Sequence, residues 1–127
     1  MSVNSQVTTH NTSSGRPARD VAIELFTGQE NDDYKSTTNE KGRCEDIIPN
    51  RSLSKGKYQL RFHTGEYWEK QGIRPFHPII DVSYFPTTLS QNLFAFLKVH
   101  FEIYDESEHY HIPLLITPAS YTTYRGS

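Results

Sequence analysis

Apolar residues recur at every second position in four stretches of the chain. In VAIELF, Val21, Ile23 and Leu25 share one face of an extended segment. In KYQLRFHT, Tyr58, Leu60 and Phe62 alternate with Gln59, Arg61 and His63. VHFEIYD and YHIPLLIT repeat the pattern, and DESEH between them reads as a hairpin turn. Period two is the spacing of a half-buried strand, because successive side chains leave a pleated backbone on opposite faces. EYWEKQG breaks the rhythm and predicts a turn or two of helix, stopped by Gly72. TGQENDDYKSTTNEKGRC is a polar connection around one short strand, and its EKGR reads as a turn that aims Arg43. The opening MSVNSQVTTHNTSSG is polar and predicts loose first residues. Short strands separated by turn signals predict an all-β sandwich, not alternating β and α units.

One stretch departs from this order. Removing VSYFPTTLSQNLFAFLK, Val82 to Lys98, leaves FHPIIDVHFEIYD, a continuous strand pattern with Ile80, Val99, Phe101 and Ile103 at period two. Residues 82–98 therefore read as an insert within a single domain spanning 1–127. It is either a retained intron in the coding sequence or a genuine inserted hairpin or helical loop.

Composition narrows the class. Eight Tyr and seven Phe against one Trp and one Met suit pleated surfaces, and seven Gly and seven Pro supply turns. The formal charge of -2 leaves no basic field for nucleic acid or an acidic membrane. A single cysteine, Cys44, excludes an internal disulfide and reads as a buried, inert thiol. The apolar runs are far shorter than a membrane span. No secretory signal pattern opens the chain, and it does not end in the Ser-Lys-Leu peroxisomal address. The expectation is a soluble cytoplasmic protein, with the peroxisome as the alternative.

The groups able to move protons near neutral pH are His10, His63, His77, His100, His109 and His111. His109 and His111 flank Tyr110 and share a strand face. Two histidines alone fall short of the three or four ligands of a zinc site, so a surface pair beside an acidic turn is the plainer reading. By itself Arg43 reads as a solvated turn arginine. No Gly-rich phosphate loop, nucleophile elbow or HExxH motif is present.

The run HYHIPLLITPASYTTYRGS resembles the C-terminal signature of the transthyretin-like family, in its 5-hydroxyisourate hydrolase branch, where the Tyr-Arg-Gly-Ser ending is the mark of the enzymes. SGRPARDVAIELF, TTNEKGRC, GKYQLRF, RPFHPIID and VHFEIYDESE extend the resemblance in order over most of the chain. It implies a two-sheet β-sandwich with one short helix, assembled as a homotetramer with sites between dimers. It also implies hydrolysis of 5-hydroxyisourate to 2-oxo-4-hydroxy-4-carboxy-5-ureidoimidazoline in urate degradation, with no metal or organic cofactor.

By motif position the resemblance assigns His10, Arg43 and His111 to catalysis and Tyr124, Arg125 and Ser127 to substrate binding. The histidines would activate and orient water, and Arg43 would hold the developing oxyanion. One departure concerns His10. The family motif places its histidine seven residues before a glycine, whereas Gly15 follows His10 by five. Two residues of extended strand correspond to about 7 Å. A non-enzymatic ligand carrier of the transthyretin type, or a homologue inactivated by the 82–98 insert, are the other readings.

Overall fold

The computed structural model describes residues 6–27, 34–44, 47, 53–74, 96–108 and 110–126. Nine strands and one helix follow one another along them: β1 Gln6–Asn11, β2 Arg16–Pro17, β3 Ala22–Phe26, β4 Tyr34–Thr37, β5 Arg43–Cys44, β6 Gly56–Phe62, α1 Thr64–Lys70, β7 Leu97–Ile103, β8 His111–Ile116 and β9 Tyr121–Thr123. They form two sheets. One has the order β4-β3-β6-β7; the other runs β2-β1-β8-β9, with β5 also paired to β1. The expected two-sheet sandwich with one short helix is the architecture found.

The first sheet follows directly from the alternation. Ile23 pairs with Phe62 and Leu25 with Leu60, and all four are buried. Tyr58, Leu60 and Phe62 face inward while Arg61 and His63 face outward, where His63 Nε2 meets Glu24 Oε1 at 2.5 Å. The second sheet contributes Val7, Ile112, Leu114 and Ile116 to the same core. Helix α1 closes one end by burying Tyr67 and Trp68. It stops where expected: Gly72 adopts φ 70°, and its N–H donates to the Glu69 carbonyl at 2.9 Å. A positive φ favours glycine because a Cβ would be crowded there.

Two expectations change. DESEH does not close a hairpin, since β7 pairs with β6 in one sheet and β8 pairs with β1 and β9 in the other. The segment crosses between layers, because Ile103 and Tyr110 are both buried from opposite sides of the crossing. The polar opening also contains a strand. QVTTHN is β1, paired in parallel with β8 from Gln6–His111 to Asn11–Ile116. Only Val7 marks its inward face as apolar; Thr9 and Asn11 are buried beside it. Asn11 is satisfied, donating from Nδ2 to the Tyr67 hydroxyl at 3.1 Å and accepting from the Ser13 and Ser14 N–H groups.

Most of the proposed insert, residues 82–95, lies outside the described residues. Its last two residues, Leu97 and Lys98, belong to β7 and pair with Phe62 and Arg61.

Thr9, by contrast, is a buried residue of this core whose side chain is left unsatisfied. It is 2% exposed, and its Oγ1 has no hydrogen-bond partner among the described residues. A buried, unpaired hydroxyl costs roughly 1–3 kcal/mol. Thr9→Val keeps the shape and removes that cost, so we expect a gain of about 1–2 kcal/mol and a rise in Tm of roughly 3–8 °C by thermal unfolding. An unchanged Tm would mean that the hydroxyl finds a partner in solution.

Candidate active site

Arg43 is positioned by a turn built from Asn39. The Asn39 side-chain oxygen accepts the N–H groups of Lys41 at 2.9 Å and Arg43 at 3.0 Å, and the Gly42 N–H donates to the Asn39 carbonyl. Gly42 is required for two reasons. Its φ is 73°, and a Cβ there would lie 2.3 Å from the Thr9 carbonyl oxygen. That close approach lets the Gly42 carbonyl accept the Thr9 N–H at 2.7 Å, which fixes β5 against β1. The register then sets Thr8 opposite Arg43 and Val7 opposite Cys44. Cys44 is buried, as expected, and Arg43 stands on the exposed face.

His111 reaches the same face from the other side of β1. It opens β8, pairs in register with Gln6, and is half-buried. The Thr8 hydroxyl lies 3.0 Å from His111 Nε2. Opposite that bond, the chain's last described residues back the ring. The Gly126 N–H donates to the His111 carbonyl at 2.7 Å, and a Cβ on Gly126 would fall 2.5 Å from His111 Nδ1. Glycine is therefore the one residue that lets the C-terminal segment lie flat against this imidazole.

The expected site residues divide by strand geometry. Arg43 and His111 come together on one face, with Thr8 between them. The register carried from Leu114–Thr123 to the His111–Gly126 bridge brings Tyr124 to the same face, where it is 55% exposed. His10 is on that face but further along: it pairs with Pro17 and Leu115, two residues beyond the Thr8–Arg43 pair. At about 3.3 Å per residue the offset is roughly 7 Å. The strand thus sets Thr8 where the resemblance sought His10.

Arg125 alternates with Tyr124 and Gly126 and leaves the strand on the other side. Its guanidinium donates to Glu108 Oε2 at 2.5 Å and lies 4.2 Å above the Tyr110 ring. Its hydrogen bond to the Glu108 carboxylate holds its pKa above the ordinary arginine value. Arg125 borders a cleft of about 280 Å³ between β7 and β9, whose lining includes Val99, Phe101, Ile112 and Thr123. Ser127, His77 and His109 lie outside the described residues. A residue of this face that sequence reasoning did not single out is Thr8, and its signal was in the spacing, because counting seven residues back from Gly15 reaches it.

With this geometry established, the chain can be compared with known proteins. A profile of the HIUase/Transthyretin family matches residues 7–126. A 5-hydroxyisourate hydrolase of Halalkalibacterium halodurans is 35% identical over 130 residues, covering 96% of this chain and 98% of that protein. The structure of Klebsiella pneumoniae 5-hydroxyisourate hydrolase superposes with a TM-score of 0.72 at 26% identity, over 96% of this chain and 91% of that one. Sea bream transthyretin in complex with thyroxine superposes with a TM-score of 0.76 at 25% identity, over 97% and 94%.

The fit of Gly126 against His111 gives a direct test. Gly126→Ala places a methyl group inside contact distance of the ring, so the imidazole must shift and its bond to Thr8 must lengthen. We expect the His111 ring resonances to move in NMR spectra while circular dichroism keeps its β signature. Unmoved resonances would mean that the chain end yields instead of the ring.

Proposed function

Because the chain belongs to the HIUase/Transthyretin family, we propose that it acts as the family's enzyme, opening the six-membered ring of 5-hydroxyisourate by adding water. The observation that carries this reading is one register: β5 and β8 flank β1, which sets the Arg43 guanidinium and the His111 imidazole on one exposed face, either side of Thr8. That pairing of a cation with a proton acceptor is what hydrolysis of a cyclic amide needs.

The water oxygen bonds to the ring carbonyl carbon, the carbonyl oxygen gains negative charge, and the ring C–N bond then breaks. The nitrogen takes a proton and the carbon leaves as a carboxylate. His111 is the group that accepts the water's proton, and a positioned imidazole contributes typically about 10²–10⁴-fold. Arg43 is exposed, with no ion-pair partner among the described residues, so its guanidinium is available to the oxyanion. Removal of one such donor costs about 10²–10³ in kcat in related chemistry. Tyr124 forms the apolar side of the substrate wall; Ser127, outside the described residues, is assigned to substrate binding by the family resemblance alone. Arg125 holds the C-terminal segment down through Glu108 and Tyr110.

The same reading includes a homotetramer. Strands β7 and β9 each end a sheet among the described residues, and together they border the cleft that holds Arg125. Free strand edges are templates for pairing with another chain. Tyr121 and Tyr124, 49% and 55% exposed, offer aromatic surface along β9. The catalytic face is open in a single protomer, so a neighbouring copy would supply the walls that exclude water. A mass near four chains by light scattering is expected; a stable, active monomer would remove the shared channel from this reading.

Decay of freshly generated 5-hydroxyisourate, followed by ultraviolet absorbance, tests the activity. The chain should accelerate the decay, and Arg43→Ala or His111→Ala should each lower kcat by about 10²-fold or more. No acceleration by a folded tetramer would favour ligand carriage, of the kind the thyroxine complex of sea bream transthyretin exemplifies. Activity only in a chain lacking residues 82–98 would assign the insert to a retained intron.

A further inference from the structure

We propose that Thr8 is a catalytic residue of this site: its hydroxyl carries the proton from the attacking water to His111 Nε2. The inference rests on the hydrolase reading and deepens it.

Three observations lead there. First, Thr8 is the residue of β1 that lies between Arg43 and His111. It pairs in register with Arg43 on one side, and its Oγ1 is 3.0 Å from His111 Nε2 on the other. Second, the opposite edge of the imidazole is covered. The Gly126 backbone lies against Nδ1 so closely that a Cβ there would come within 2.5 Å. A water held beside Arg43 therefore meets the hydroxyl before it meets either ring nitrogen. Third, the nearby alternative is displaced, since His10 pairs with Pro17 and Leu115, two residues further along the strand.

A hydroxyl donates one hydrogen bond and accepts two, so Thr8 can receive from water while donating to Nε2. The step balances. The water oxygen forms its bond to the substrate carbonyl carbon, and its proton passes to Thr8 Oγ1. The proton that Thr8 held passes to Nε2, leaving an imidazolium, an unchanged threonine and a tetrahedral oxyanion facing Arg43. The starting imidazole must carry its hydrogen on Nδ1, with Nε2 as acceptor. The 3.0 Å contact is compatible with that tautomer, in which the Thr8 hydroxyl donates to Nε2.

The test compares Thr8→Val, which keeps shape and β-branching without the hydroxyl, with Thr8→Ser, which keeps the hydroxyl. We expect Thr8→Val to lower kcat by about tenfold or more with KM within about twofold, and Thr8→Ser to stay within about threefold of the parent chain. In mixtures of H2O and D2O the parent rate should fall along a curve, as two protons move together. The ¹⁵N resonances of His111 should report Nε2 as unprotonated in the parent and shift in Thr8→Val, a readout that needs no turnover. If the parent chain fails to accelerate decay, the hydrolase reading falls; if it is active and Thr8→Val retains more than half its kcat, the relay falls. A Thr8→Ser variant as slow as Thr8→Val would also overturn it, as would a covalent substrate adduct on Thr8 by intact mass. Loss of turnover in His10→Asn alongside full activity in Thr8→Val would move the proton transfer to His10.

Discussion

Parallel pairing of Gln6–Asn11 with His111–Ile116 is the constraint on which the site depends. It joins residues more than a hundred positions apart, so that Thr8 meets His111 across a separation of 103. Parallel neighbours need a long crossover connection. Here the connection includes the whole of the other sheet, β3, β4, β6 and β7, which stacks against this one to form the core. The sandwich thus stabilises the pairing, and the pairing sets the chemistry. A slip of one residue would turn every side chain to the opposite face, burying His111 and Thr8 and exposing Val7 and Ile112.

That register is held from several directions. Val7, Ile112 and Leu114 bury their side chains in the shared core. Gly42 approaches the Thr9 carbonyl too closely for any other residue, and Thr38 bridges the Ala18 carbonyl and the Val21 N–H from inside the sandwich. Asn11 ties the far end of β1 to helix α1 through Tyr67. Arg43 and His111 sit on regular strands or at their ends, so their separation is set by the interstrand spacing of about 4.8 Å. A site made this way is positioned by the backbone hydrogen bonds of its strands together with the Asn39 turn that aims Arg43.

The C-terminal tetrapeptide divides its work between two faces. Tyr124 and Gly126 lie on the face of Thr8 and His111, one as aromatic surface and the other as the flat backing of His111. Arg125, on the other side, is clamped by Glu108 and Tyr110 beside the cleft between β7 and β9. The motif is a short strand with the alternation of any strand, so adjacent residues cannot share one role. The pleat therefore turns its arginine away from Tyr124 and Gly126, toward Glu108 and Tyr110.

Sequence alone determined which residues face inward on β3, β6, β7 and β8, where the helix ends, and that Arg43 leaves a glycine turn. These are local properties: alternation follows from the pleat, and helix termination from the backbone freedom of Gly72. The ordered motifs also identified the family and hence the chemistry to look for. β1 escaped notice because its inward residues are Val7, Thr9 and Asn11, two of them polar, so its burial is invisible in a hydrophobic pattern. Only the tertiary structure decided which strands lie side by side. DESEH looked like a hairpin until its flanking strands joined different sheets, and only the pairing of β5 and β8 with β1 put Thr8, two residues before His10, between Arg43 and His111. Lateral neighbours are fixed by burial of the whole sandwich, a sum over contacts distant in sequence.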